Sequence, residues 1–396
     1  MNLCSHYQEC PGCDYWGISY QEEKKLKIEN LKNFLSHKFL NTESLNIQFH
    51  SLAGPTQIRD RVDLQWRKNI GWGYVHGPSS KLIPILKCLL MTEPLSQFYE
   101  FIKTINLPYE KASIRLRVSP KNEWGLWLDL PNNDIKDLLE NQSPILDKLL
   151  SKSIVEIGQK RKRLIKNPDL IKYKLDKNPH WHNWFVTSNL QGKDLPLYSL
   201  VGGFTQVGFE INKILVIEVL KLIKKLKFKN NFELAESPIV ELGAGIGNFT
   251  FGFLSEGYKV IAIENDPQAL DALKFSLENH YYKFTTEKLK LSDQLKIVGW
   301  NFLKNEPPPF ATSGILFVDP PRSGLGKFLE NPIWKSDPSF EYIIYVSCSL
   351  ESWKLDFEKL SEKNYDLKNI SIVDQFSRSK NVELISVFQK STAAIK

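Results

Sequence analysis

The spacing of hydrophobic and polar positions changes twice along the chain. Residues 19–38 (ISYQEEKKLKIENLKNFLSH) put Leu and Ile on one stripe, which predicts an amphipathic helix. From Ile47 to about Leu130 the pattern shifts to short alternating runs rich in Val, Trp, Tyr and Arg. Examples are RVDLQW from Arg61 to Trp66 and ASIRLRV from Ala112 to Val118, and these predict antiparallel strands. A helical stretch follows near 133–151. From about residue 212 helix-like and strand-like segments alternate. A helix over Asn212–Phe228 precedes strand-like runs at Ile239–Leu242, Lys259–Glu264, Leu295–Gly299, Ile315–Asp319, Tyr342–Ser347, Ile370–Phe376 and Glu383–Gln389. Such alternation predicts a mainly parallel sheet with helices on both faces. The last connection is too short for a crossover helix, so one antiparallel strand is expected at or near an edge.

Composition narrows the class. A chain of 396 residues allows two to three domains and a sizeable core. With 42% apolar and 24% charged residues, a disordered, collagen-like or low-complexity chain is excluded. No run approaches the roughly 18 apolar residues of a membrane span. The start, MNLCSHYQEC, has neither a basic leader nor an apolar core, so a cytoplasmic protein is expected, with no membrane partner. The net charge of +7 favours an anionic partner. Residues 147–177 hold ten Lys/Arg against four Asp/Glu, centred on Lys160-Arg161-Lys162-Arg163. That segment is either a solvated basic face or a nucleic-acid contact. Aromatic residues, ten Trp among them, allow stacking on unpaired bases as well as core packing.

Candidate chemistry lies in six places. Cys4, Cys10 and Cys13 are spaced C-x5-C-x2-C, and Cys88 is the nearest fourth thiol. In a cytosolic chain such a cluster points to metal, with zinc and a [4Fe–4S] cluster both open. The first strand of the alternating region runs into Val240–Phe249 (VELGAGIGNF), a glycine turn that lets a ligand approach the backbone. Glu264, 21 residues beyond Gly243, is placed to accept bonds from ribose hydroxyls. S-adenosylmethionine fits this form better than a dinucleotide, which stays open, and Glu264 also suits the start of the helix beginning at Asn265-Asp266-Pro267. The fourth strand delivers Asp319-Pro320-Pro321-Arg322-Ser323-Gly324-Leu325 to the same end of the sheet. The fifth ends at Ser347-Cys348-Ser349, where a lone thiol is either inert core or a nucleophile. Beside a methyl donor, a thiolate suits the alkylation of a pyrimidine carbon, and Glu383 suits the removal of its proton.

Together these segments resemble the RNA 5-methyluridine (uracil-5-) methyltransferase family, in its iron–sulfur branch acting on 23S ribosomal RNA. The resemblance covers essentially the whole chain. It rests on the four cysteines, Phe204-Thr205-Gln206-Val207 with Asn212, the Gly243–Phe249 loop, Glu264, Asp319–Leu325, Val346-Ser347-Cys348 and Asp374-Gln375-Phe376 with Val382-Glu383. It implies an α/β fold with a Rossmann-like seven-stranded methyltransferase domain over 196–396. An iron–sulfur segment over 1–45 and a strand-rich central RNA-binding domain over 46–195 would precede it. Cys4, Cys10, Cys13 and Cys88 would hold a [4Fe–4S] cluster. Gln206, Gly243, Gly245, Glu264 and Asp319 would contact S-adenosylmethionine, with Cys348 as nucleophile and Glu383 as proton acceptor. The RNA substrate would be ribosomal, with no obligate protein partner. A transfer RNA uridine methyltransferase and a degenerate RNA-binding homologue are the alternatives. The chain departs from the family pattern at Gly208 (Asn), Gly243-Ala244 (an aromatic and Cys), Ser349-Leu350 (Asn-Pro) and Asn381 (His).

Overall fold

A computed structural model describes residues 4–37, 47–76, 81–131, 133–158, 162–166, 173–176, 178–229, 236–280, 291–304, 306, 310, 313–336 and 339–391. Its strands, in chain order, are β1 (Gln48–His50), β2 (Arg61–Arg67), β3 (Gly71–His76), β4 (Lys81–Pro84), β5 (Lys111–Val118) and β6 (Trp124–Asp129). Next come β7 (Ile154–Ile157), β8 (Lys162–Lys166), β9 (Tyr173–Leu175), β10 (His182–Ser188), β11 (Asp194–Ser199) and β12 (Ile239–Leu242). The last six are β13 (Val260–Glu264), β14 (Leu295–Gly299), β15 (Ser313–Val318), β16 (Ser339–Ser347), β17 (Tyr365–Val373) and β18 (Glu383–Lys390). The chain divides into two compact units. One takes in Met1–Ser19, Gly54–Val186 and Tyr198–Phe209, and the other Tyr20–Ala53, Thr187–Leu197 and Glu210–Lys396.

The first unit is built on an eight-stranded sheet of order β4-β3-β2-β5-β6-β7-β8-β9. Its pairs are antiparallel except β6 with β7. β2 buries every second residue, Val62, Leu64 and Trp66, as one-sided burial of a pleated strand requires. Helix Glu93–Lys103 interrupts the stretch expected to be all strands. Proline in its first turn and Leu95, Phe98, Tyr99 and Ile102 at helical spacing explain why. Helices Ile135–Asn141 and Ser143–Leu150 fill the predicted 133–151 stretch. In the basic segment, Lys162 and Arg163 sit on β8, while Lys160 and Arg161 lie outside the described residues.

The second unit carries the alternating region as a sheet of order β1-β17-β18-β16-β15-β12-β13-β14. All its pairs are parallel except those of β18 with β16 and β17. The seven expected strands are present. An eighth, β1, comes from the N-terminal region and pairs with β17, so the antiparallel β18 stands two strands inside the edge. β15 and β16 read as continuous apolar runs because both faces are covered. Helix Tyr20–Ser36 supplies Leu31 and Leu35 to this core. No helix among the described residues is long and apolar enough to cross a membrane.

Candidate active site

From β12 the chain steps outward to β13 and β14, then returns to β15 and β16 on the other side. The crevice at the carboxyl ends of such diverging strands is where open α/β sheets take ligands. The loop after β12 has positive φ at Gly243 (82°), Gly245 (56°) and Gly247 (98°). A Cβ on Gly243 would stand 2.7 Å from the Asp319 carbonyl oxygen. This backbone has no room for the family's aromatic, which accounts for the glycine. The Gly243 and Ala244 N–H groups donate to the Ile263 carbonyl at 2.9 and 3.0 Å, fastening the turn to β13. Glu264, at the end of β13, accepts from the Gly245 N–H at 2.9 Å, and from Asn265 and Asp266 at 2.6 and 2.8 Å. It therefore holds both the glycine turn and the start of helix Pro267–His280. A carboxylate offers about four acceptor positions, so these three bonds leave room for a ribose hydroxyl.

Strand register assembles the reactive groups. Ser347 pairs with Leu384, so Cys348 and Glu383 follow as neighbours at the same end of β16 and β18. Val318 pairs with Tyr345, which brings Asp319 to that end from the next strand. Cys348 is half-buried just before Ser349, whose hydroxyl caps helix Leu350–Glu362. Burial, helped by the charges of Glu383 and Asp319, pushes its thiol up to about 11, while Arg322 pulls the other way. Glu383 is fully buried. Its carboxyl is pushed well above the ordinary range by burial and by Asp319, against the Gln375 hydrogen bond and the Arg322 charge. Gln375 Nε2 donates to Glu383 Oε2 at 2.9 Å, and Glu383 Oε1 has no hydrogen-bond partner. Burial also lifts Asp319 to about 7 and, beneath the glycine loop, Glu241 to about 8. A cationic sulfonium beside these carboxyls would favour their charged form, whereas the pyrophosphate of a dinucleotide would oppose it. The residues present fit S-adenosylmethionine.

The other candidates lie in the strand-rich unit. Gln206 is in its Tyr198–Phe209 segment, where its carbonyl accepts from the Thr205 hydroxyl at 3.0 Å. Cys4, Cys10, Cys13 and Cys88 are free thiols lining one pocket, walled by Trp16, Tyr74, Ile85 and Leu90. Burial pushes Cys13 up to about 12 and raises Cys10 and Cys88, each opposed by Arg59. Among the described residues no three His, Cys, Asp or Glu gather tightly enough for a single metal ion. An iron–sulfur cube, with one thiolate per corner iron, spreads its ligands more widely, and the four donors around one pocket fit such a group.

Some residues around the site carry no role in the sequence reading. Arg322 stands in the Asp319–Leu325 motif with no role assigned, yet it is the cation acting on both Cys348 and Glu383. Glu23 and Lys27 are fully buried on the same helical stripe as Leu31 and Leu35. The four-residue spacing was the available signal, masked by the charges.

Similarity to known proteins agrees with this geometry. The family model of tRNA (uracil-5-)-methyltransferases matches residues 185–391. An uncharacterised RNA methyltransferase of Bdellovibrio bacteriovorus is 31% identical, covering 98% of this chain and 96% of its own. A 23S rRNA (uracil(1939)-C(5))-methyltransferase of Shewanella sp. (strain ANA-3) is 24% identical over 98% of this chain and 81% of its own. In fold, the chain is similar to the crystal structure of Pyrococcus abyssi tRNA (uracil-54, C5)-methyltransferase in complex with S-adenosyl-L-homocysteine. That likeness has a TM-score of 0.63 at 16% identity and covers 96% of this chain and 86% of the other. The chain belongs to the tRNA (uracil-5-)-methyltransferase family, enzymes that methylate RNA uracil with S-adenosylmethionine.

Proposed function

We propose that this enzyme methylates carbon 5 of a uridine in 23S ribosomal RNA through a covalent bond between Cys348 and carbon 6. The observation that carries the reading is the meeting of one thiol with two raised carboxyls at the ends of β15, β16 and β18. Carbon 5 of uracil is a poor nucleophile. Addition of the Cys348 thiolate to carbon 6 pushes the double-bond pair toward carbon 5 as an enolate. Carbon 5 then takes the methyl group while the broken sulfur–methyl pair stays on the donor's sulfur. Glu383 accepts the carbon-5 proton at Oε1, the C–H pair re-forms the double bond, and the carbon–sulfur bond breaks to return the thiolate. The burial that raises Glu383 makes it a stronger base than a surface carboxylate. A cationic donor among Asp319, Glu383 and Cys348 favours the thiolate in the same sense as Arg322. In this reading Glu264, the Gly243–Gly245 turn and Asp319 hold the donor.

RNA binding is assigned to the strand-rich unit, where the Arg61 guanidinium lies 5.2 Å from the ring of exposed Phe204, a surface suited to stacking an unpaired base. Cys4, Cys10, Cys13 and Cys88 would hold a [4Fe–4S] cluster, which would supply a rigid cross-link between the N-terminal segment and the loop after β4. The ribosomal target is supported by the Shewanella relative and by this cysteine set. Free thiols and an RNA substrate support a cytoplasmic location. The test is to map 5-methyluridine in ribosomal and transfer RNA from cells with and without the gene. Loss from 23S RNA is expected. Loss from transfer RNA alone would transfer the assignment there, and loss from neither would end it. With purified enzyme, Glu383→Gln should trap a methylated RNA adduct that survives denaturing electrophoresis, and Cys348→Ala should give neither adduct nor product.

A further inference from the structure

The helix Tyr20–Ser36 buries charge where its stripe should be apolar. Lys27 Nζ donates to Glu23 Oε1 at 2.8 Å, to Asp374 Oδ1 at 2.7 Å and to the Phe376 carbonyl at 3.1 Å. None of these three side chains is exposed. The Tyr20 hydroxyl and the Ser377 hydroxyl donate to Asp374 Oδ2 at 2.6 and 2.7 Å. The Arg378 N–H donates to Glu23 Oε1 at 2.7 Å, with Arg378 held at φ 67°. A buried ion network is a poor source of stability, because desolvation consumes most of its attraction. What this one does is fix a short stretch of chain. Its anchors at Asp374, Phe376, Ser377 and Arg378 surround Gln375, in the turn that joins β17 to β18 just before Glu383.

We infer that Gln375, clamped by Lys27 and Asp374, is a positioning residue that sets which oxygen of Glu383 takes the carbon-5 proton. Its Nε2–H occupies Oε2 at 2.9 Å and leaves Oε1 unengaged. A carboxylate so held presents one basic oxygen in one orientation, and its charge is eased by a donor that the buried Asp319 does not provide. This rests on the reading of Glu383 as the base. It makes a demand of its own: disturbing Gln375 should slow adduct resolution while sparing adduct formation and methyl transfer.

The experiment follows single turnovers with RNA labelled by tritium at carbon 5, scoring methyl incorporation, tritium release and denaturation-stable adduct separately. Gln375→Met keeps the side chain's length and removes the donor. Its tritium release should fall about ten- to a hundredfold, the loss expected when a reacting group is misplaced. Methylated adduct should accumulate meanwhile. Asp374→Asn should show the same signature more weakly, and it should fold, because Lys27 keeps Glu23 as its counter-charge. If both variants resolved the adduct at the wild-type rate while Glu383→Gln still trapped it, the role of Gln375 would be overturned and that of Glu383 would stand. If Glu383→Gln trapped nothing, both would fall.

Discussion

Glu241 is an acid in the middle of β12, a strand whose every residue is buried. The Thr250 hydroxyl donates to Oε2 at 2.6 Å and the Thr250 backbone N–H assists it, while Oε1 has no hydrogen-bond partner. Burial lifts its carboxyl from 4.5 to about 8. Between those values the folded chain holds a proton that the unfolded chain has released. Stability must therefore fall as pH rises through that window. Glu241→Gln should remove this dependence, at most about 1.4 kcal/mol per pH unit. In urea unfolding the variant should gain on the wild type from pH 5 to pH 8.5, and a parallel pair of curves would show that Glu241 is ionised throughout. Asp319, raised to about 7, adds to the same slope and remains in the variant. At this scale the sequence was readable where chemistry sits at strand ends. Asp319 and Cys348 could be placed because each follows an apolar run, and Glu383 because it begins one. Glu23 and Lys27 could not, because a helix pattern assigns charge to solvent, and the groups that meet them in the fold, Asp374, Phe376 and Arg378, lie 347 to 355 residues away.

The turn from β12 into helix Asn248–Ser255 shows how one element constrains another. Gly243 combines positive φ with close approach to the Asp319 backbone, so any side chain there must move either the turn or the strand end carrying Asp319. Gly243→Ala should cost about 1–3 kcal/mol of unfolding free energy from backbone strain alone. It should also weaken S-adenosylmethionine binding by calorimetry. Unchanged affinity in a destabilised protein would separate the turn from the donor site. Elements were legible in proportion to how locally they are determined. The strands of the catalytic sheet announce themselves as apolar runs between helices. Helix Glu93–Lys103 was hidden among strands, although Leu95, Phe98, Tyr99 and Ile102 keep the helical period. β1 is three residues long and exists because β17 offers it an edge, a fact absent from its own sequence.

For the whole molecule, the cysteine pocket gives the simplest measurement. Protein purified without oxygen should be brown and carry about four iron and four sulfide per chain. Cys10→Ser, Cys13→Ser or Cys88→Ser should bleach it, whereas one zinc in a colourless protein would overturn the cluster. The catalytic unit, for its part, is not a continuous length of chain, since it includes Tyr20–Ala53 as well as Glu210–Lys396. Lys27 and Asp374 stand 347 residues apart. A ribosome adds roughly 5–20 residues per second, so the N-terminal helix waits tens of seconds for its counter-charge to be synthesised. Until then Leu31 and Leu35 have no core to enter, and once β17 forms, its open edge is covered only when β1 reaches it. A fragment cut at residue 185, where the family match begins, would keep every reactive group yet lack both the helix and β1. Nascent chain and excised fragment thus share one hazard, an active-site sheet whose closing piece was made first and must be brought back last.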